Sequence, residues 1–450
     1  MLNSLLKRER EVVGYLPDER PPLIKLLAFA AQAFIVMFSA TVTVPLLTGF
    51  HVSTAIFASG LATLVFLIVT KGKIPLYYGS SFSYIAAVAS LTGVQQFGEI
   101  APDALISQAQ FGIIMSGFVS IIVGLIVRRV SMEKIEKVLP PTVTGSVALV
   151  IGGSLFGVAM TFAFGFDAGT GLTSNTASIV ALVTVLACIF FSVFLRGVWK
   201  QLPILLGIIV GYLVSLPLGL VNFNPVAEAS VFAVPHFTLP IPNLLAVVAI
   251  MPIAIATIPE STAHLFQLDL YVNKLAEEKK SEKKYDIGDR LGSNLIGDGV
   301  GDIVAALLGG PGGTNYGENI STMAITKVFS VAVLAGAAIM AIVASFIGPI
   351  SAFVNTVPAS VINGACIYLF GVIAVQGIAL MIGKKVDIFD ERNVAVISTI
   401  LVIGIGGSFA FPGGMIPIFG AKLPAIATAA IAGIVLNLFL NIGRNKKKIS

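Results

Sequence analysis

The stretch from Gly309 to Ser321 holds five glycines and a proline, yet it lies between two long apolar segments. A helix in hydrocarbon satisfies its own backbone; a segment of this composition does not. Irregular chain at membrane depth persists only where protein or a cavity supplies partners for its N–H and C=O groups. Glu318 stands in the middle of the stretch, and an ionisable residue at that depth marks a functional site by default. The fold must therefore both shelter this backbone and use this carboxylate.

The surrounding composition sets the solvent. Of 450 residues, 56% are hydrophobic and 11% charged, with mean hydropathy +0.96; soluble domains carry about 25% charged residues. The chain reads as a polytopic membrane protein. Its net charge of +5 is a topology signal and implies no nucleic acid partner. The residues before Pro22 are polar and lack an apolar h-region, so no cleaved signal peptide is expected. Cys188 and Cys366 fall inside apolar segments and read as small packing residues. With three histidines, no metal-ligand spacing and neither a Walker loop nor a dinucleotide fingerprint, no metal or cofactor is expected. Energy would come from an ion gradient.

A spanning helix needs about 20 mostly apolar residues. Fourteen segments meet that rule: 23–47, 53–70, 78–96, 110–128, 141–165, 175–195, 201–221, 243–268, 290–309, 314–327, 329–353, 358–383, 393–411 and 422–442. The third and tenth are short of continuous helix, which predicts extended breaks there. The fold class is thus an all-α integral membrane protein. Its divisions are a cytoplasmic N-terminal segment 1–22, a first seven-span repeat 23–222, a second 243–442 and a basic tail 443–450. A polar loop runs from Asn273 to Arg290. With both termini inside, Lys7, Arg8, Lys71, Lys73, Arg128, Arg129, Lys134, Arg196, Lys200, the 274–290 cluster, Lys384, Lys385, Arg392 and the tail lysines are cytoplasmic. Only Lys422 falls outside, while Glu99, Asp103, Asp167 and Glu228 occupy the opposite loops.

A weak internal repeat is visible. Tyr77-Tyr78-Gly79-Ser80-Ser81-Phe82 recurs as Asn315-Tyr316-Gly317-Glu318-Asn319-Ile320, and Ile135…Val138-Leu139-Pro140-Pro141 recurs loosely as Ile350…Val354…Val357-Pro358. Two units of seven spans have opposite orientations because seven is odd. Inverted repeats with interrupted helices point to a transporter whose site lies near the midplane. Each interruption offers backbone groups and a positive half-helix end to a ligand.

Ionisable residues inside the segments are Glu260, His264, Asp298, Asp302 and Glu318. Glu260 and His264 stand four apart and share a helix face, in a helix made irregular by Pro252 and Pro259. They either tie two helices together or line a pathway; the expense of charge at this depth favours the pathway. Asp298 and Asp302 form a second such pair, serving either the site or backbone groups freed by the glycines around them. Gln32 reads as a cavity residue of the first span, and Thr41 as a hydroxyl satisfying a carbonyl one turn back. Tyr78, Phe82 and Tyr316 border the interruptions, where aromatics either stack on a planar ligand or pack.

From Glu318 onward the residues form a known pattern. Glu318-Asn319-Ile320-Ser321, then Thr326-Lys327, resembles the signature of the nucleobase/ascorbate transporter family, with Ser321 where that family has Gly. Gln32-Ala33-Phe34, Met37 through Val42 and Val44-Pro45 are similar to its first helix, Tyr78-Gly79-Ser80-Ser81-Phe82 to its third and Glu260…His264 to its eighth. The family usually has Gln-His where this chain has Gln32-Ala33. The resemblance implies that Glu260 and Glu318 bind a nucleobase, that His264 takes part in a proton relay, and that backbone near Phe82 and Gly317 completes the site; on the residues themselves, Gln32 would line the cavity and Phe82 and Tyr316 would cover the ring faces. Any role of the missing His is then either lost or supplied elsewhere, with Asp302 the candidate. It also implies a core domain of spans 1–4 and 8–11 and a gate domain of spans 5–7 and 12–14.

Glu at position 318 resembles the uracil permeases, whereas Gln goes with xanthine and urate carriers. A carboxylate only accepts, which suits the N–H donors of uracil; backbone N–H groups suit its carbonyls. The reading is a proton-coupled uracil symporter of a bacterial-type inner membrane, with sodium the alternative ion and a homodimer left open. Competing readings are a purine permease of the same fold, an anion transporter or channel of the sulphate/bicarbonate type, and an intramembrane enzyme. Glu318 beside the ligand argues against an anion, and the absence of HExxH or a nucleophile–base pair argues against an enzyme.

Overall fold

The computed structural model describes residues 14–94, 98–130, 134, 137–165, 173–196, 202–418 and 420–442. Residues 1–13, the tail 443–450, Ile135 of the repeat and Asp167 and Lys200 of the topology reading lie outside the described residues.

The chain is mostly helical, as uninterrupted Leu, Ala, Val and Phe runs require in a solvent that bonds no backbone. Helix α1 (Leu23–Thr48) and α2 (Val52–Val69) precede a short strand, β1 (Tyr78–Ser80). A 3₁₀ turn at Phe82–Tyr84 then leads into α3 (Ile85–Thr92), followed by α4 (Asp103–Val127). Next come α5 (Pro141–Ser154), which turns at Leu155 into α6 (Phe156–Ala163), then α7 (Asn175–Phe194) and α8 (Pro203–Ser215). Proline opens α5 and α8 at the position where its missing N–H is harmless.

The second half begins with α9 (Leu244–Ile250), a 3₁₀ turn at Met251–Ile253 where Pro252 interrupts the bonding, and α10 (Ala254–Glu278). Helix α11 (Leu291–Leu307) leads to β2 (Gly313–Asn315) and α12 (Gly317–Thr326). Then follow α13 (Val331–Ser345), α14 (Gly348–Asn355), α15 (Ala359–Gly383), α16 (Glu391–Leu401) with its continuation to Ala410, the strands β3 (Met415–Ile418) and β4 (Ala421–Pro424), and α17 (Ala425–Leu440).

Among the described residues, eight helical stretches are long and apolar enough to cross a membrane: 23–48, 52–69, 103–127, 141–163, 175–194, 244–278, 359–383 and 391–410. Shorter apolar helices occupy Phe82–Thr92, Pro203–Ser215, Val331–Ser345 and Ala425–Leu440. This is a multi-pass membrane protein.

The third and tenth segments do contain extended breaks, β1 and β2. Three details differ from the sequence reading. The polar loop expected from Asn273 is shorter, because α10 continues to Glu278, where Lys327 pairs with Glu278 and Lys279 pairs with Glu19 at 2.6 Å. The segment 329–353 is two helices, since Gly348 and Pro349 start a new one. A hairpin, with Met415 opposite Pro424 and Ile418 opposite Ala421, takes the first residues of the segment expected from 422.

Glycine sets the closest helix contacts. A Cβ added to Gly117 of α4 would fall 2.5 Å from the Gly299 carbonyl oxygen of α11, and one added to Gly299 would fall 2.3 Å from that of Gly117. Small residues let backbones approach where no hydrophobic force drives helices together in lipid. This contact presses α11, with its two aspartates, into the protein interior. Helices α5 and α15 meet in the same way at Gly145 and Gly377. We expect Gly117→Val to lower stability by about 1–3 kcal/mol, the usual cost of overpacking. Gly371→Ala, which meets no atom within 4 Å, should leave the melting temperature in detergent unchanged or raised.

Candidate functional site

The two breaks are sheltered by each other. Strands β1 and β2 pair antiparallel, with Tyr78 opposite Asn315, Gly79 opposite Thr314 and Ser80 opposite Gly313. The ladder is extended by Tyr316 N–H donating to the Tyr77 carbonyl and Ser81 N–H donating to that of Gly312, both at 3.0 Å. Thr63 and Ser59 of α2 donate to the Tyr78 carbonyl at 2.9 and 3.1 Å, and Thr63 accepts from the Tyr78 N–H at 3.0 Å. Asp302 of α11 closes the other side: it accepts from the Gly313 N–H at 2.8 Å, Tyr78 Oη at 2.5 Å and Tyr84 Oη at 3.0 Å.

Beyond each strand a helix starts, at Phe82 and at Gly317, and both residues line one cavity of about 40 Å³. The first N–H groups of a helix have no partner within it; at the first start Ser81 takes two of them, its Oγ accepting from Ser83 N–H at 3.2 Å and its carbonyl from Tyr84 N–H at 3.3 Å. Helix α10 supplies a third side through Glu260 and His264. Glu260 Oε2 accepts from Ser83 Oγ at 3.1 Å. His264 is bonded to the Asn315 backbone, and its Nδ1 is buried with no hydrogen-bond partner among the described residues. It lies so close to Gly317 that a Cβ there would be 2.9 Å from Nε2. Ala148 and Ile151 of α5 with Ile373 and Gln376 of α15 form the opposite wall. Glu318, second residue of α12, completes the lining. Two carboxylates thus face one small cavity, and no Lys or Arg lines it among the described residues.

Of the residues singled out by sequence, Glu260, His264, Glu318, Phe82, Gly317 and Tyr316 are brought together here. Gln32 is half-buried on α1 and is not among the lining residues. Asp298 and Asp302 lie behind the lining as backbone and side-chain acceptors: Asp298 takes bonds from Ser261 and from Asn315 Nδ2, the latter at 2.8 Å. With three donors on it, Asp302 is occupied as a clamp on the break, which counts against its standing in for a proton-relay His. The Tyr316 ring stacks on Tyr77 at 6.2 Å between centroids, and its hydroxyl pairs with Thr41 Oγ1 at 2.8 Å, so it packs the break. Thr41 Oγ1 also donates one turn back at 3.2 Å, to Met37 Sδ where a carbonyl was expected, so it joins Tyr316 to its own helix. Phe82 meets Phe370 edge-on at 5.4 Å and, with Tyr316, is one of the two aromatics lining the cavity among the described residues. Sequence reasoning passed over Ser83, Asn315 and Gln376. Gln376 carried a signal, as the only amide in the apolar run 364–383.

A family model described as "Permease family" matches residues 24–413. The uracil permease of Bacillus caldolyticus is 38% identical over 429 residues, covering 94% of each chain. That of Bacillus subtilis (strain 168) is 37% identical over 428 residues, covering 93% of each, and that of Escherichia coli (strain K12) 34% over 434, covering 96% of this chain and 95% of its own. The chain belongs to this permease family. The family resemblance carried by Glu318-Asn319, Tyr78-Gly79 and Glu260…His264 is borne out, and the permease is a transporter. Its fold has solved relatives. The murine Slc26a9 anion transporter aligns with TM-score 0.66 at 9% identity, covering 98% of the permease and 75% of that chain. The transmembrane domain of the cyanobacterium bicarbonate transporter BicA aligns with TM-score 0.55 at 14% identity, covering 93% and 97%. At such identities the likeness is one of fold alone.

The clamp predicts a result. Asp302→Asn turns an amide N–H₂ toward donors that need an acceptor, so the permease should lose about 1–3 kcal/mol of stability. Thermal unfolding in detergent checks it; an unchanged midpoint would mean the break holds itself.

Proposed function

We propose that this permease imports uracil in symport with protons across a bacterial-type inner membrane. The observation that carries the reading is the pair of carboxylates, Glu260 and Glu318, on different elements around one cavity at two helix starts, with no basic lining side chain among the described residues. A carboxylate accepts only, so the pair suits a ligand presenting N–H groups, and the helix-start N–H groups suit its carbonyls. Uracil is neutral and offers both on one ring. Phe82 covers a ring face. The names of the relatives point the same way.

The architecture that supports this is fourteen spans in two inverted repeats of seven, with both termini cytoplasmic. The core would be spans 1–4 and 8–11, in which α4 packs on α11, and α2 and α1 on α13. The gate would be spans 5–7 and 12–14, in which α5 and α7 pack on α15, and α16 on α17. The cavity lies between them, with β1, β2, α10 and α12 on one side and α5 and α15 on the other. At about 40 Å³ it has room for roughly three waters, so a pyrimidine ring with its two carbonyl oxygens needs the gate wall to move.

Protons would couple through Glu260 and His264. Protonation of the pair accompanies substrate binding from outside, and wetting of the site on inward opening releases the proton. An unprotonated empty site favours one orientation, and the differential binding drives the cycle. The anion-transporter reading has the fold likeness in its favour, but two carboxylates facing the ligand would repel an anion. A purine is the nearer alternative.

Uptake of labelled uracil into cells or vesicles, against unlabelled xanthine and with or without a protonophore, tests the proposal. Uracil uptake should resist xanthine and collapse with the protonophore; the reverse would overturn it. Glu318→Gln should weaken uracil binding by about 1.5–3 kcal/mol, one charge-assisted bond. Equal affinity in parent and variant, measured by calorimetry, would make Glu318 a structural residue.

A further inference from the structure

The described residues hold a second cluster of ligand-type side chains, away from the substrate cavity. The chain has three histidines. One is His264; the other two, His51 and His236, converge with Asp103 although no linear motif joins them. His51 precedes the first turn of α2, Asp103 begins α4, and His236 lies in the extended segment leading to α9. One ligand atom from each residue can be chosen so that all three lie within 4.8 Å of one another. His236 Nε2 is 2.9 Å from Asp103 Oδ2, and His51 Nε2 is 3.9 Å from Oδ1. The imidazole centroids are 4.3 Å apart.

A surface ion pair between His236 and Asp103 accounts for two of the three residues. It leaves His51 unexplained. Its Nε2 is buried, lies 3.9 Å from Asp103 Oδ1 and has no hydrogen-bond partner by distance among the described residues. A buried nitrogen aimed at a carboxylate and a second imidazole is the arrangement a cation completes.

The backbone around the cluster is fixed. Thr54 Oγ1 donates to the His236 carbonyl at 2.7 Å, Ala101 N–H donates to the Gly49 carbonyl at 3.0 Å, and Gln110 and Thr238 bond each other two residues beyond His236. Zinc takes imidazole and carboxylate ligands at about 2.0–2.2 Å in a tetrahedron, which puts ligand atoms about 3.4 Å apart. The spacings to Asp103 bracket that value. Two nitrogens and one oxygen suit a borderline first-row cation, whereas calcium and magnesium prefer oxygen throughout.

We infer that His51, Asp103 and His236 form a three-ligand site for a divalent transition cation, best matched by Zn²⁺, with a fourth position open to water. The ion would pin the ends of α2 and α4 to the segment that leads into α9, on the face that Asp103 occupies. It is separate from the carboxylates of the substrate cavity.

The test uses purified full-length permease carrying an affinity tag without histidine, stripped with EDTA and titrated with Zn²⁺ against a chromophoric chelator. One Zn²⁺ per chain should bind, and a hundredfold excess of Mg²⁺ should not displace it. His51→Ala, His236→Ala and Asp103→Asn should each weaken binding at least tenfold, since even residues behind the ligands of metal sites change affinity 10- to 100-fold. Melting temperatures in EDTA guard against misfolding, and His236→Gln serves if the alanine variant is unstable. Zn²⁺ should also raise the melting temperature of the parent and leave a His51/His236 double variant unmoved. No stoichiometric binding by the parent, or equal affinity in the variants, would overturn the site.

Discussion

The structure depends on one constraint: two stretches of non-helical backbone lie between apolar helices, and every N–H and C=O in them needs a partner that lipid does not give. The solution is mutual. Tyr78 through Ser80 and Gly313 through Asn315 bond each other, and Thr63, Ser59 and Asp302 take the groups on the outer edges. Two polar breaks that would be expensive alone become one sheltered element. Asp302, 1% exposed, is tolerated because three donors converge on it.

That element places the site. Each strand hands directly to a helix, so two helix starts arrive at the same cavity and Glu318 comes with the second. Glu260 and His264 reach it from α10, one turn apart, and the close Gly317 backbone leaves room for the imidazole. The result is a small space with carboxylate acceptors on its side chains beside two helix starts, a division that on the proposed reading suits a flat, neutral ring with N–H and C=O groups alternating at its edge. The same fold serves in the anion transporter Slc26a9. Fold alone therefore does not choose the cargo, which has to be argued from the lining residues.

Much of this was legible from residue order because membrane segments write their exceptions plainly. Glycine, proline and tyrosine between apolar runs announced both breaks, and intramembrane charge announced Glu260, His264 and Glu318. What stayed hidden were partnerships across the sequence. Nothing near Asp302 says that Tyr78 and Tyr84, over 200 positions away, will occupy it. Gln32 read as a cavity residue because polar groups in a first span invite that inference, yet it is not among the lining residues. Tyr316 read equally as a ligand platform or as packing; it packs on Tyr77 and bonds Thr41 while also lining the cavity. The meeting of His51, Asp103 and His236 is of the same kind, set by loop geometry and not by spacing.

The central claim is that carboxylates at the paired breaks read the N–H edge of the ligand. Chemical change in the ligand tests it without disturbing the protein. Affinities of purified permease for uracil, 1-methyluracil and 3-methyluracil would be measured by calorimetry under one buffer condition. Each methyl removes one N–H donor and leaves the carbonyls in place. The account predicts that at least one methylated ring binds tenfold or more weakly than uracil, about 1.4 kcal/mol or greater, the scale of one charge-assisted bond. Equal binding of all three would contradict it.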